Sequence, residues 1–148
     1  MNTVKINYDG MYDLIPNGDS VTANLKNSPY HDKHAVYWET NATFDKDDIY
    51  FFNIKVNKYL SVNYKHKTQP CLRAERTNFQ IRRFNEKGFL IGFKPDIEEM
   101  SFGDVFHDII PSLYLSVKKQ IVSMNILWVN YSYIEKEIEL PRFIWRLE

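Results

Sequence analysis

Apolar residues along this chain come in short bursts, without the three-to-four-residue recurrence of a sustained amphipathic helix. The bursts are MYDLI, VTANL, AVYWET, IYFFNI, KYLSV, FQIRRF, GFLIGF, LYLSV, IVSMNILWV and RFIWRL. In FQIRRF, Phe79, Ile81 and Arg83 share one face, and Gln80, Arg82 and Phe84 the other, the two-residue period of a strand. Turn clusters such as NYDG, PNGDS and NEKG separate the bursts. About ten to twelve short strands joined by tight turns predict an all-β barrel or sandwich.

One phrase occurs twice, as NKYLSV at 57–62 and SLYLSV at 112–117. Each copy leads through another apolar strand to a Phe-x-(Ile/Trp)-Arg strand, at 79–82 and at 143–146. AVYWET holds the corresponding place at 35–40, and DGMYDLI opens a first unit as DDIYFFNI and EKGFLIGF open the others. Three four-stranded units follow, at about 1–43, 44–84 and 85–148. They predict a single β-trefoil domain over 1–148, with Trp38, Ile81 and Trp145 meeting around a pseudo-threefold axis. Chance reuse of a strand phrase is the competing reading. The third unit is lengthened by an insertion, 94–111, bounded by Pro95 and Pro111. There Ile97, Met100, Val105, Phe106 and Ile109 fit one side of a short helix that Gly103 weakens. Loops held on a rigid scaffold often carry function.

Composition narrows the partners. Ten Tyr and ten Phe favour strands over helices. Nineteen basic and nineteen acidic residues cancel, so nothing in the charge balance points to nucleic acid or a charged membrane. A lone cysteine, Cys71, excludes an intrachain disulfide. The start, MNTVKINYDG, lacks the pattern of a signal peptide, and no apolar run approaches the roughly 18 residues of a membrane span. The expectation is a chain without membrane insertion, cytoplasmic or secreted without a signal peptide.

Candidate chemistry is sparse. Cys71 with His66 suggests a thiol nucleophile, but nothing in the spacing brings the base to the sulfur, and Cys71 also reads as a half-buried strand residue. His31, Asp32 and His34 offer metal-type ligands without the four a structural zinc site needs. Asp45, Asp47 and Asp48 lack the glycine and terminal Glu of a calcium loop. Glu98 and Glu99 have no further support as an acid/base pair. Lys65, His66, Lys67, Arg73, Arg76, Arg82 and Arg83 make the middle unit basic, either for an anionic ligand or as solvated strand faces. No phosphate-cradling loop and no G-x-S-x-G elbow occurs. We therefore expect no enzyme, no metal and no cofactor.

The closing strands VYW, FQI and FIW resemble degenerate forms of the Gln-x-Trp strand of ricin-B-like β-trefoils, and NKYLSV is similar to a phrase common in those lectin repeats. Length and layout resemble the small haemagglutinin components of clostridial neurotoxin complexes. A second resemblance, carried by the DGMY opening and by Pro141-Arg142-Phe143 in the closing strand, is to the mycocypins, fungal β-trefoil inhibitors of cysteine proteases. The first implies a carbohydrate-binding lectin or haemagglutinin, or a lectin-derived adaptor of a toxin-type complex, with a glycan or protein partner. The second implies an inhibitor acting through surface loops.

Ricin-type repeats hold galactose with an Asp near the start of the Leu strand, an aromatic platform and an Asn before the Gln-x-Trp. Carried over, these fall on Ser61, about Arg73, and Asn78 in the middle unit, and on Ser116, a residue near Trp128, and Arg142 in the last. Only Asn78 matches, and a hydroxyl is a poorer acceptor than a carboxylate. Sugar binding would then use Asn78 with loop aromatics, for which Tyr64, Trp128, Tyr131 and Tyr133, and also Tyr30, are the candidates. Each of these aromatics also reads as ordinary packing.

Overall fold

The computed structural model describes residues 2–29, 32–43, 47–63, 69–84, 86, 88–93, 113–118, 121–126 and 143–148. The chain is all-β, with no α-helix among these residues. Thirteen strands run in order as β1 (Asn2–Val4), β2 (Ile6–Tyr8), β3 (Tyr12–Asn17), β4 (Ser20–Leu25), β5 (Trp38–Thr40), β6 (Phe51–Asn53), β7 (Lys58–Asn63), β8 (Gln69–Arg73), β9 (Gln80–Arg83), β10 (Phe89–Phe93), β11 (Leu113–Lys118), β12 (Ile121–Ile126) and β13 (Trp145–Leu147). The insertion at 94–111 lies outside the described residues.

The pairings close on themselves, which leaves few free sheet edges. β4, β12, β11, β10, β13, β2 and β3 form a closed ring of seven strands, completed by the β3–β4 pairing. A second circuit is also complete. β1 pairs β5, β5 pairs β6, Ile49 bridges Phe79, β9 pairs β10, β10 pairs β13, and β13 returns to β2, one residue beyond β1. Three antiparallel hairpins, β3–β4, β7–β8 and β11–β12, hang from this circuit and touch one another.

The start of the chain differs from the expectation. DGMYDLI is not an opening strand. Asp9 and Gly10 both have positive φ, 56° and 69°, and Met11 N–H donates to the Tyr8 carbonyl at 3.1 Å. Asp9 and Gly10 are the central residues of a turn with primed geometry, which Asp-Gly favours, and Met11 adds a third residue before β3. The turn joins β2 to β3, so Tyr12–Asn17 is a hairpin strand, paired with β4 as KYLSV is with β8 and LYLSV with β12. The opening strand is the unremarked stretch 2–8, where Lys5 and Asn7 interrupt the apolar pattern.

One cluster of buried side chains draws on strands from the first to the last, including Ile6, Leu14, Trp38, Phe51, Leu60, Phe79, Ile81, Ile91, Leu115 and Trp145. Trp38 and Trp145 are fully buried, and Ile81 is 1% exposed. Each buried indole has a hydrogen-bond partner, as burial of the polar N–H requires. Trp38 Nε1 donates to the Leu14 carbonyl at 3.0 Å, and Trp145 Nε1 to the Leu115 carbonyl at 2.9 Å. Leu14 and Leu115 are each the third residue of their strand, so each buried indole bonds the same place in β3 or β11.

Close packing reaches the outer layer too. A Cβ added at Gly92 would lie 2.9 Å from Tyr114 Cε1, the residue paired across from it. Gly92→Ala is therefore expected to destabilise the fold by about 1–3 kcal/mol through overpacking. In a double-mutant cycle by urea denaturation, Tyr114→Ala should remove most of that cost. Additive costs would show that the ring is not what Gly92 accommodates.

Candidate functional site

Strand register sets three comparable outer rows. The first runs Arg146–Asn7–Asp13–Asn24. The second runs Glu39–Phe52–Tyr59–Arg73. The third runs Gln80–Gly92–Tyr114. Their chemistry diverges. In the first row Asn7 and Asp13 are 0% and 2% exposed, and Asn7 Nδ2 donates to Asp13 Oδ1 at 3.0 Å. The third has no side chain at Gly92. Only the middle row pairs two half-exposed aromatics.

Local alternation explains this. Ile49, Phe51 and Asn53 point inward and are fully buried. Tyr50, Phe52 and Ile54 therefore point outward. Asn53 fixes the next turn, since its Oδ1 accepts from the backbone N–H of Lys55 at 3.1 Å and Val56 at 3.2 Å, while its Nδ2 donates to the Ala35 carbonyl at 2.8 Å. Asn57 completes the turn with φ 59°. That places Tyr59 opposite Phe52, with ring centroids 4.9 Å apart, and Tyr50 meets Tyr59 edge-on at 5.9 Å. Beyond them lie two exposed side chains, Ile54 at 50% and Tyr37 at 42%, linked by the Ile54 N–H to Tyr37 carbonyl bond. Lys5 Nζ sits 5.6 Å from the Tyr37 ring centre.

Polar groups border the aromatic row. The Arg76 guanidinium lies over the Tyr50 ring at 4.9 Å and donates through Nε to Asn78 Oδ1 at 2.9 Å. The structure thus brings Asn78 to the aromatic row through Arg76. Asn41 ties down the same edge, donating to the Asp48 carbonyl and accepting from the Tyr50 N–H, both at 3.0 Å. Glu39 is half-buried beside Phe52, and Arg73 is exposed beyond Tyr59 and 3.5 Å from Glu75. The site can stack a flat apolar face against Phe52 and Tyr59 and bond hydroxyls through Glu39, Asn78 and the arginines.

The remaining candidates fall as follows. Tyr30, Tyr64, Trp128, Tyr131 and Tyr133 lie outside the described residues, as do His31, Asp45, Lys65, His66, Lys67, Glu98, Glu99 and Arg142. Cys71 is half-buried in β8. Asp32 pairs with Lys55 and accepts from the His34 N–H at 2.9 Å. The described part of the basic cluster is engaged by its neighbours. Arg82 pairs with Asp47 at 3.0 Å, and Arg83 lies 6.0 Å from the Phe89 ring centre. Among the described residues no three His, Cys, Asp or Glu side chains gather as a metal site. Burial first, then the charges of Asp9 and Tyr12, push the Tyr8 phenol above its ordinary value. At neutral pH it is an uncharged packing partner of Trp145, 6.0 Å away.

Ser61, one of the positions singled out in the sequence, is enclosed. Ser61 is 1% exposed, and its hydroxyl donates to the Glu75 carbonyl at 2.7 Å. One residue on, the Val62 N–H donates to Thr77 Oγ1 at 3.1 Å. These two bonds draw residues 75–77 onto β7 and enclose the Ser61 side chain. Ser116 is likewise buried.

The aromatic row was missed by sequence reasoning because Tyr50, Phe52 and Tyr59 read as strand filling. The missed signal was parity: with Ile49, Phe51 and Asn53 inward, Tyr50 and Phe52 must face out, and with Leu60 inward so must Tyr59.

No protein-family model and no curated protein matches the sequence. Among solved structures, the chain is similar to a GlcNAcα1-4Gal releasing endo-β-galactosidase from Clostridium perfringens, with TM-score 0.64 and 9% sequence identity. The match covers 99% of this chain and 32% of that one, so the chain spans under a third of that protein's length. At this identity the likeness is one of fold. No helix among the described residues is long and apolar enough to cross a membrane.

Proposed function

We propose that the chain is a ricin-B-like β-trefoil and a non-catalytic carbohydrate-binding protein, using the outer row of its middle unit in place of the ricin-type site. The fold reading is supported by the six-strand circuit, by one hairpin per unit, and by the tryptophans of the first and third units reaching the same place in the Leu strand. A glycan as partner is supported by the fold shared with a protein named for releasing GlcNAcα1-4Gal. The observation that carries the site is the Phe52–Tyr59 pair, half-exposed at 4.9 Å and bordered by Glu39, Arg73 and the Arg76–Asn78 bond. Pyranose rings present an apolar C–H face to aromatics and equatorial hydroxyls to such polar groups. The protein serves as a lectin, alone or within a toxin-type complex.

A glycan array tests this. The wild type should bind at least one class of saccharide. Tyr59→Ala should lose about tenfold or more in affinity, as truncation of a central aromatic anchor does, while retaining the wild-type fold by circular dichroism. A silent array together with inhibition of papain-like proteases would replace this reading with the loop-inhibitor one. Silence in both assays would leave a lectin-derived adaptor that binds protein. Glycan binding unchanged in Tyr59→Ala would move the site off this row.

A further inference from the structure

The six-strand circuit has two ends. The hairpins occupy one. At the other, the start of β1, the residues following β5, the start of β10 and the end of β13 converge. Asn2, Val4, Thr40, Ala42, Thr43, Ile81, Phe89 and Leu147 line a cavity of about 310 Å³ there. Five of these eight side chains are apolar, and of the three polar ones Asn2 and Thr43 are exposed. Ile81 and Phe89 form its buried wall, while Val4, Ala42 and Leu147 are half-buried and pack on the main core. Thr40 is fully buried. Its hydroxyl oxygen accepts from the Ala42 N–H at 3.1 Å, and among the described residues its proton reaches no acceptor.

Size and chemistry together define an occupant. An apolar cavity of about 150 Å³ is large enough to hold benzene. This one is about twice that, with an apolar lining that rewards exclusion of water and one buried hydroxyl with a donor to spare. Ligand pockets commonly combine a mostly apolar lining with a few well-placed polar groups, and barrel mouths are among their usual locations; here Thr40 is the buried one. We propose that the barrel mouth binds a small uncharged ligand of one or two fused rings carrying one hydrogen-bond acceptor, held by Thr40. Among the described residues no charged side chain lines the cavity, which disfavours anions and cations alike. None of the residues lining the site belongs to the Glu39–Phe52–Tyr59–Arg73 row, and its occupancy does not depend on the carbohydrate reading.

Indane and 1-indanone share a skeleton and differ by one carbonyl, so they separate the two parts of the proposal. In ¹H–¹⁵N NMR titrations, both should give saturable shifts at the amides of Val4, Ala42 and Leu147, with 1-indanone the tighter. Ala42→Leu, at a half-buried position, should fill the cavity and abolish both responses. Thr40→Val should weaken 1-indanone about fivefold, the size of one net hydrogen bond, and leave indane unchanged. Thr40→Ser, which keeps the hydroxyl, should restore it. Thermal denaturation confirms that each variant is folded. Tyr59→Ala should change none of this. Absence of saturable shifts in the wild type, or shifts that survive Ala42→Leu, overturns the site. Equal weakening of both probes by Thr40→Val overturns the hydroxyl's role.

Discussion

Trp145→Ala should cost about 3–5 kcal/mol, the largest loss expected of a single truncation in this chain. Trp145 is fully buried, its ring lies 6.0 Å from Tyr8, and its indole donates to the Leu115 carbonyl at 2.9 Å. Alanine removes the ring, opens a cavity among residues of several strands, and leaves that carbonyl short of a partner. A domain of this size has about 5–15 kcal/mol in all, so the variant should be marginal at 37 °C. Trp145→Phe keeps part of the volume but not the donor, and should fall between the two. Urea denaturation followed by far-UV circular dichroism reads both. Trp38→Ala, with its bond to Leu14, should match Trp145→Ala closely. A cost under about 1 kcal/mol would mean the ring is not packed as described.

Ser61→Asp should be nearly as damaging, although it restores the residue a sugar-binding repeat carries. The position is 1% exposed, and the atom facing it at 2.7 Å is the Glu75 carbonyl oxygen, itself an acceptor. An ionised carboxylate there loses water and meets a like partial charge. We expect a loss of about 3 kcal/mol or more at pH 7. The protonated acid can donate to Glu75, so the folded state raises the new group's pKa above its unfolded value near 3.9. The ionisation penalty is then absent below about pH 4 and grows by about 1.4 kcal/mol per pH unit until the folded pKa is passed. Stability curves from pH 3 to 8 for Ser61→Asp and Ser61→Ala should diverge with rising pH. Wild-type stability at pH 7 together with new galactose binding would show that residues 75–77 do not enclose the site.

These two residues mark how far the sequence could be read. The Leu-Ser-Val phrases at Leu60 and Leu115 were legible as equivalent strands because a two-residue period is written directly in the side chains. The buried closing residues Trp38, Ile81 and Trp145 were legible for the same reason. The serines could be seen as departures from a lectin pattern. That Ser61 fastens a loop over the position could not, because its partner is a backbone carbonyl fourteen residues away. The opening strand escaped because Lys5 and Asn7 break its apolar pattern, and the Asp-Gly turn was absorbed into the strand that follows it.

By itself the sequence determined the strand-rich class, the positions of most strands, and the residues that line the core. Burial selects side chains one position at a time, and that selection is local. Tertiary structure decided which outward residues become neighbours. Glu39, Phe52, Tyr59 and Arg73 stand in one row only through the register of four strands, which no local pattern encodes. The cavity at the barrel mouth is likewise set by closure, since Val4, Thr40, Phe89 and Leu147 meet only when β13 pairs β2 and β10 while β1 pairs β5.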